Sequence, residues 1–341
     1  MKNHFGEVLV LGNDSRSTLA VVRSLGRRGI RISVGLSARG PDLPARSKYV
    51  YRTYRLCSPE KDQETYRDDV LNRLPLDRFT LVIPTMDIFI IPLIEYREKI
   101  EKSVHLAIPH SEAFFSAYDK FRTAALATEL GIPQPDYCRV ETYDDLKKIP
   151  SEWRFPLVLK PRYTKVGCEN RIYHFPVKVI RSQDQLKAAA AEYLESTPCL
   201  VQPIFDGIGG GVEVLCRNGE ILASFQHRRI HEPLEGGGSS YRVSVSIHPK
   251  LRSFTEKMMH RLRWTGVAMV EYLSNEENGK HALVEINGRF WGSLPLAVHA
   301  GIDFPFYLFQ LLVENQAKFP QEYKKGLYCR NTTNDFWWSL A

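Results

Sequence analysis

A parallel-sheet α/β domain followed by α+β lobes is the architecture predicted for this chain of 341 residues, and three observations predict it. Near the N-terminus a compact apolar run, Glu7 to Leu11, ends at Gly12. A helical pattern (Leu19, Val21, Val22, Leu25) and a second apolar run, Ile30 to Val34, follow, which is the signature of a β-α-β unit and hence of a parallel sheet. Farther on, two pairs of strand-like segments flank Asn218-Gly219 and the polar loop 274–280, and both read as antiparallel hairpins. Between these regions, from Asp119 to Ile204, helical and extended segments alternate.

Composition narrows the function. A length of 341 residues suggests two or three domains at about 150 residues each. With 43% hydrophobic and 25% charged residues the chain is an ordinary globular one, not collagen-like or disordered. Lys and Arg number 46 against 39 acids, but the excess of 7 is spread without a basic run. No nucleic-acid partner is therefore expected, and the positive balance suits anionic small molecules. Six scattered cysteines form no C-x-x-C pair, so structural zinc is not expected. The polar start MKNHFGE lacks a leader signature, and the apolar stretch 81–94 is broken by Pro84, Asp87 and Pro92. A cytoplasmic protein without a membrane span is the expectation, and a homodimer is compatible with it. The turn GNDSRS after the first strand is not G-x-G-x-x-G, which removes the main support for a dinucleotide-binding oxidoreductase.

Element by element, the first domain should run over about residues 1–112. It would add a buried strand at Thr80–Pro84, a charged helix at Glu95–Lys102 and a short strand at Ala107–Pro109. Asp119 is an N-cap for a helix with apolar Phe121, Ala125, Leu126 and Leu130, stopped by Gly131 and Pro133. Lys120, in its first turn, meets the positive end of the helix dipole, unfavourable by a few tenths of a kcal/mol unless an anion sits nearby; a solvated surface lysine is the plain alternative. A strand follows at Phe155–Lys160, then a polar loop to Arg171, a strand near Pro176–Ile180, a helix from Ser182 to Glu195 and a strand at Leu200–Ile204. Pro203 marks the last of these as an edge or a strand end.

The second hairpin carries the chemistry. If Leu273 faces His281, then Glu271 lies opposite Leu283, and Glu285 and Asn287 share its face because side chains alternate along a strand. Glu271 and Glu285 would be diagonal neighbours roughly 7–8 Å apart, a gap that one or two hard cations can bridge. Their surroundings are apolar, with Val267, Met269 and Leu283 on the near side, so unpaired acids there would be costly. Pairing with Lys or Arg of a neighbouring element is the alternative. Arg289 follows two residues after Asn287 and suits phosphate or an oxyanion; a salt bridge to Glu271 or Glu285 would equally explain it.

These segments resemble the ATP-grasp superfamily, over nearly the whole chain. DKFRTAALATELGIPQP is similar to its entry helix, FPLVLKPR to its ATP-binding strand, VQPIF to its adenine hinge, and VEYLSNEENGKHALVEINGRFWGS to its metal-binding hairpin. The resemblance implies a fold in which an N-terminal α/β domain (1–112) precedes two lobes (113–205 and 206–341) that grip ATP. It implies that Lys120 and Lys160 contact ATP phosphates and that Gln202 and Ile204 meet adenine. Glu271, Glu285 and Asn287 are the implied ligands of Mg2+, with Mn2+ as an alternative, and Arg289 would contact the transferred phosphoryl group. The chain departs from the pattern in a glycine-poor loop, RYTKVGCENR, where Arg162 and Lys165 would replace backbone amides. It departs again at Gln202, where an acid is common, and at Gly209-Gly210-Gly211, where some members carry an acid near the ribose.

Two further segments, Gln226–Ile230 and Glu235–Arg242, are polar and basic, and the second holds three consecutive glycines, Gly236 to Gly238. Amides of the GGGSS run would cradle an anion with Arg229 or Arg242 as counter-charge, and Arg242 is the preferred substrate contact; a plain mobile loop is the alternative. His227 reads as a hydrogen-bonding residue rather than a general base. In the first domain Asp87, Arg16 and Ser17 sit at strand ends, where a turn or cap also accounts for them. The helix LAVHAGIDFP reads as packing, and Trp337 and Trp338 as a segment that packs on something. The resulting expectation is a ligase that turns a carboxylate into an acyl phosphate for attack by an amine. The alternatives are a non-catalytic nucleotide-binding module, or a carboxylase or kinase of the same fold.

Overall fold

The β-α-β unit opens the molecule. The computed structural model describes residues 6–14, 16–38, 42–232 and 239–338. In it β1 (Glu7–Leu11), α1 (Ser17–Arg27) and β2 (Arg31–Ser37) belong to a five-stranded parallel sheet with β3 (Val50–Leu56), β4 (Phe79–Pro84) and β5 (His105–Leu106). The strand order is β3-β2-β1-β4-β5. β3 escapes the apolar-run criterion because its sequence, VYRTYRL, is that of an exposed edge. The short strand expected at 107–109 lies at His105–Leu106. One face of the sheet is covered by α2 (Gln63–Asp68), α3 (Asp87–Ile90) and α4 (Arg97–Glu101), through Tyr66, Phe89 and Ile100 against Leu9, Leu11 and Val82.

Next come α5 (Ser111–Tyr118) and α6 (Lys120–Glu129), the latter capped by Asp119, whose carboxylate accepts from Phe121 N at 2.9 Å. β6 (Cys138–Val140), β7 (Leu157–Pro161), β8 (Lys165–Cys168), β9 (Arg171–His174), β10 (Lys178–Ile180) and β11 (Cys199–Pro203) follow, with α7 (Gln183–Leu194) before β11. Four of them form an antiparallel sheet in the order β10-β7-β11-β6. Its core with α7 draws only on residues between Cys138 and Val201, among them Leu157, Leu159, Leu186 and Tyr193. Pro203 therefore ends an inner strand. The stretch read as a polar loop is the β8–β9 hairpin, turned at Glu169 and Asn170, which take φ of 43° and 64°.

The remainder builds a six-stranded antiparallel sheet from β12 (Ile208–Arg217), β13 (Glu220–His231), β14 (Tyr241–Val245), β15 (Gly266–Asn275), β16 (Lys280–Asn287) and β17 (Tyr328–Arg330). Its order is β16-β15-β12-β13-β14-β17. Asn218 and Gly219, at φ 49° and 89°, make the expected tight turn between β12 and β13. On one face lie α8 (Pro249–Arg261) and α6. On the other lie α9 (Leu294–Ala300), stopped by Gly301 at φ 114°, and α10 (Phe304–Val313). This second face shares one core with α1 and the parallel sheet: Phe225 and Met269 pack in the same cluster as Phe290, Trp291, Phe309, Val22 and Ile83. α11 (Thr332–Trp338) closes the described chain, with Trp338 stacked on His231 at 3.7 Å and donating to Glu232 O. The cradle expected of Gly236–Gly238 and the packing of the Trp337 side chain lie outside the described residues. Among the described residues no single helix is long and apolar enough to cross a membrane.

Candidate active site

The register of β15 and β16 differs from the expected one. Ser274 pairs with His281 and Tyr272 with Leu283; the ladder then skips Val284, so that Glu271 pairs directly with Glu285 and Met269 with Asn287. Leu283 thereby turns to the α8 side with Val270 and Tyr272. Its amide donates to Pro133 O at 2.8 Å, in the segment after α6, and this contact accompanies the bulge. The two glutamates are thus directly opposite rather than diagonal. Asn287 spans them, donating from Nδ2 to Glu271 Oε1 at 3.2 Å and to Glu285 Oε1 at 3.0 Å.

Their environments push them apart. Burial works against the charge of Glu285, but Lys120, the Asn287 hydrogen bond, Arg289 and Lys160 outweigh it and hold its carboxyl below the usual range. Glu271 is raised by burial and by Glu285, with Arg229 opposing. Arg229 reaches it from β13, donating to Oε2 at 2.5 Å, so the sequence alternative of a basic partner holds for Glu271. This reach crosses β12 over Gly209, where a Cβ would lie 2.8 Å from Arg229 Cδ and 2.4 Å from Glu232 Oε1. In the sequence, the run Gly209-Gly210-Gly211 marks the room over β12 but not the residue that fills it.

Two adjoining cavities share Lys120 and Glu285. One is lined also by Asp87, Tyr118, Thr164, Asn287 and Arg289, the other by Lys160, Gln202 and Leu283. Lys120, Lys160, Gln202, Glu285, Asn287 and Arg289 are therefore brought together. Lys120 donates to Thr164 at 2.7 Å and its ammonium is pushed down by burial. Lys160, on β7, is pushed down to about 8 by burial, with Lys120 adding and Glu285 opposing. The dipole argument for an anion near Lys120 thus meets Glu285.

Arg289 does not pair with either glutamate. Its Nε donates to Asp87 Oδ2 at 2.9 Å, at the start of α3 beside the parallel sheet. Arg162 is held by Asp119, donating from Nε at 2.9 Å and Nη2 at 2.7 Å, and Tyr163 donates to the same carboxylate. Ile204 stands exposed just past β11. Arg242 is buried on the β14 row opposite Arg229, donates to Ser239 O, and is pushed down to about 10 by burial and by Arg16 and Arg229. Among the described residues no group of three or more His, Cys, Asp and Glu could hold a metal ion. A cation here would rest on two carboxylates and an amide.

Residues 195–334 match a family model described as ATP-grasp in the biosynthetic pathway with Ter operon. An N5-carboxyaminoimidazole ribonucleotide synthase of Pseudomonas aeruginosa is 29% identical over 170 residues, 48% of this chain and 44% of that protein. A carbamoyl phosphate synthase large chain of Thermomicrobium roseum is 23% identical over 227 residues, 64% of this chain and 20% of the other. The chain thus spans less than half the length of these curated relatives. In fold it is similar to N5-carboxyaminoimidazole synthetase from Staphylococcus aureus complexed with ADP, with a TM-score of 0.70 at 14% identity over 94% of this chain and 80% of that one. An L-amino acid ligase from Bacillus licheniformis gives 0.69 at 15% identity over 91% and 74%.

Proposed function

We propose that this chain, which belongs to the ATP-grasp superfamily, is an ATP-dependent ligase that activates a carboxylate as an acyl phosphate and passes the acyl group to an amine. The observation that carries this reading is the meeting of Lys120, Lys160, Glu285, Asn287 and Arg289 around two joined cavities, with Glu271 facing Glu285. A carboxylate oxygen attacks the γ-phosphorus of ATP and ADP leaves. The amine nitrogen then attacks the acyl carbon, phosphate leaves, and the nitrogen gives up a proton. Such chemistry is mostly positioning and charge neutralisation.

Lys120 and Lys160 supply positive charge for the phosphates, and Gln202 on β11 with the exposed Ile204 just past it would meet the adenine. Arg289, braced by Asp87, faces the transferred group. Mg2+ fits the donor set: two half-buried carboxylates in direct register, plus an amide that presents oxygen instead of nitrogen after a half-turn. When bound, the ion offsets charge on the phosphates. Mn2+ suits the same oxygen donors. Arg242 is the proposed contact for the carboxylate substrate.

Likeness to the N5-carboxyaminoimidazole ribonucleotide synthase of P. aeruginosa, and in fold to a biotin carboxylase domain bound to bicarbonate, supports a second reading in which bicarbonate is the activated acid. ADP release at saturating Mg-ATP, screened over amino acids and other carboxylates with amines, with and without bicarbonate, tests both. Glu285→Gln should lower ADP release at least a hundredfold while leaving the thermal unfolding midpoint within a few degrees. Turnover retained in that variant removes Glu285 from the site, and ADP release that no acid stimulates removes the ligase reading.

A further inference from the structure

One transverse row of the six-stranded sheet runs Glu285, Glu271, Gly211, His227, Ser244 across five adjacent strands. Gly211 leaves a gap in it. A Cβ at that position would stand 2.8 Å from His227 Cε1 and 3.0 Å from Met269, so glycine allows the imidazole to lie over β12, on the side of the paired glutamates. The ring is only 2% exposed. Its Nδ1 lies 2.6 Å from Glu213 Oε1, and the same oxygen accepts from Ser293 Oγ at 3.1 Å. Glu213 is wholly buried, and its Oε2 has no hydrogen-bond partner.

Besides a Glu213 protonated on Oε2, which would bury a hydroxyl donor without a partner, two proton arrangements fit the 2.6 Å contact. An ionised Glu213 would accept Nδ1–H and leave a charged oxygen buried without a partner, which is expensive. A protonated Glu213 donates from Oε1 to Nδ1, still accepts from Ser293, and leaves only a neutral carbonyl oxygen unpartnered. The second arrangement costs less and places the ring proton on Nε2. The groups around the pair agree: Arg242 and Arg229 face His227 along with Glu271 and Glu232, and Arg242 faces Glu213. Burial pushes the Glu213 carboxyl well up and, with the two arginines, the imidazole down to about 3, so both are neutral.

We propose that Glu213 and Ser293 lock His227 as the neutral Nε2–H tautomer, and that His227 donates this hydrogen bond to the acyl oxygen of the substrate beside the Glu271–Glu285 pair. Glu213 and Ser293 are positioning residues, and no proton leaves the ring. A neutral donor has a specific merit here: a cation in that row would be drawn into an ion pair with Glu271, as Arg229 is. The ligand assignment rests on the ligase reading, whereas the tautomer does not.

The test has two arms. Long-range 1H–15N spectra of the full chain without ligand, with the His227 resonance identified by its loss in His227→Gln, should show a protonated Nε2 and a bare Nδ1, unchanged from pH 6 to pH 8. In the ADP-release assay Glu213→Gln, whose amide also donates to Nδ1, should keep kcat within about threefold of the parent. Glu213→Ala and His227→Ala should each lose about tenfold or more, and His227→Gln, which keeps a donor, should recover part of that loss. A proton on Nδ1 in the parent spectrum, or Glu213→Gln as impaired as Glu213→Ala, overturns the proposal. If no substrate stimulates ADP release, the ligase reading fails on its own and the spectrum still decides the tautomer.

Discussion

Arg289 Nε and Asp87 Oδ2 lie 2.9 Å apart and join the turn after β16 to the start of α3, 202 positions earlier in sequence. Both side chains are 23% exposed, so solvent screens the pair only in part. Phe290 O accepts a second bond, from Nη1 at 3.0 Å. Asp87→Asn keeps a polar group beside Arg289 but removes the charge. The expected result is a fold-neutral variant with kcat lowered several-fold. A double-mutant cycle with Arg289→Lys should return a coupling of about 1–2 kcal/mol in the activation free energy. Additive effects would show that the pair is only a surface contact.

Lys160 makes the site sensitive to pH. Its folded pKa of about 8 lies below the ordinary 10.5, so burial disfavours the charged form in the folded chain. The unfolded chain therefore binds more protons between these values, and this group's contribution to stability rises with pH across that window and is lost as pH falls through it. An arriving triphosphate reverses the preference and should draw a proton onto Lys160. Calorimetry of nucleotide binding near pH 8.5, in buffers of different ionisation enthalpy, should show uptake of most of one proton. Lys160→Met should remove the uptake and lower affinity at least tenfold.

Asp119 works twice. It caps α6 through Phe121 N and holds Arg162 and Tyr163, all on a side chain that is 1% exposed. Asp119→Ala should cost about 2–4 kcal/mol in denaturant unfolding, because a cap is lost and a guanidinium is left unpaired. Asp119→Asn, which can still cap, should cost less. If Arg162 acts only by holding the start of α6, Arg162→Lys should move the unfolding midpoint more than the KM for ATP, and the reverse would give Arg162 a direct part in nucleotide binding.

Local chemistry was legible wherever one residue decides it. The Asp119 cap, the Asn218-Gly219 turn and the stop at Gly301 each follow from a side chain or its absence. That Glu285 and Asn287 share a face also followed from alternation, but Glu271 joins them only because the bulge restores the parity that the one-residue offset at Ser274–His281 would have broken. The register itself did not. It turns on a bulge at Val284 beside the Leu283–Pro133 bond, a contact between segments about 150 positions apart in the chain. The partners of Arg289 and Glu271 were hidden for the same reason: Asp87 comes from beside the parallel sheet, 202 positions away, and Arg229 arrives across a strand whose glycines reveal only a gap. α5 was missed because eight residues show the helical spacing, Ala113 and Phe114 to Ala117, only once, with no repeat to set it apart from a short apolar run.

The distribution of the cores bears on how the molecule can work. The parallel sheet and the large antiparallel sheet are welded through one shared apolar cluster, whereas the four-stranded sheet keeps an interior of its own. Glu285 and Arg289 ride on the welded body and Lys160 on the separate one. Any shift of one body against the other would change the gap between lysine and glutamate, and would be resisted by the β8–β9 hairpin, whose Ile172 is packed into the apolar layer beneath the parallel sheet and donates from its amide to Glu60 O.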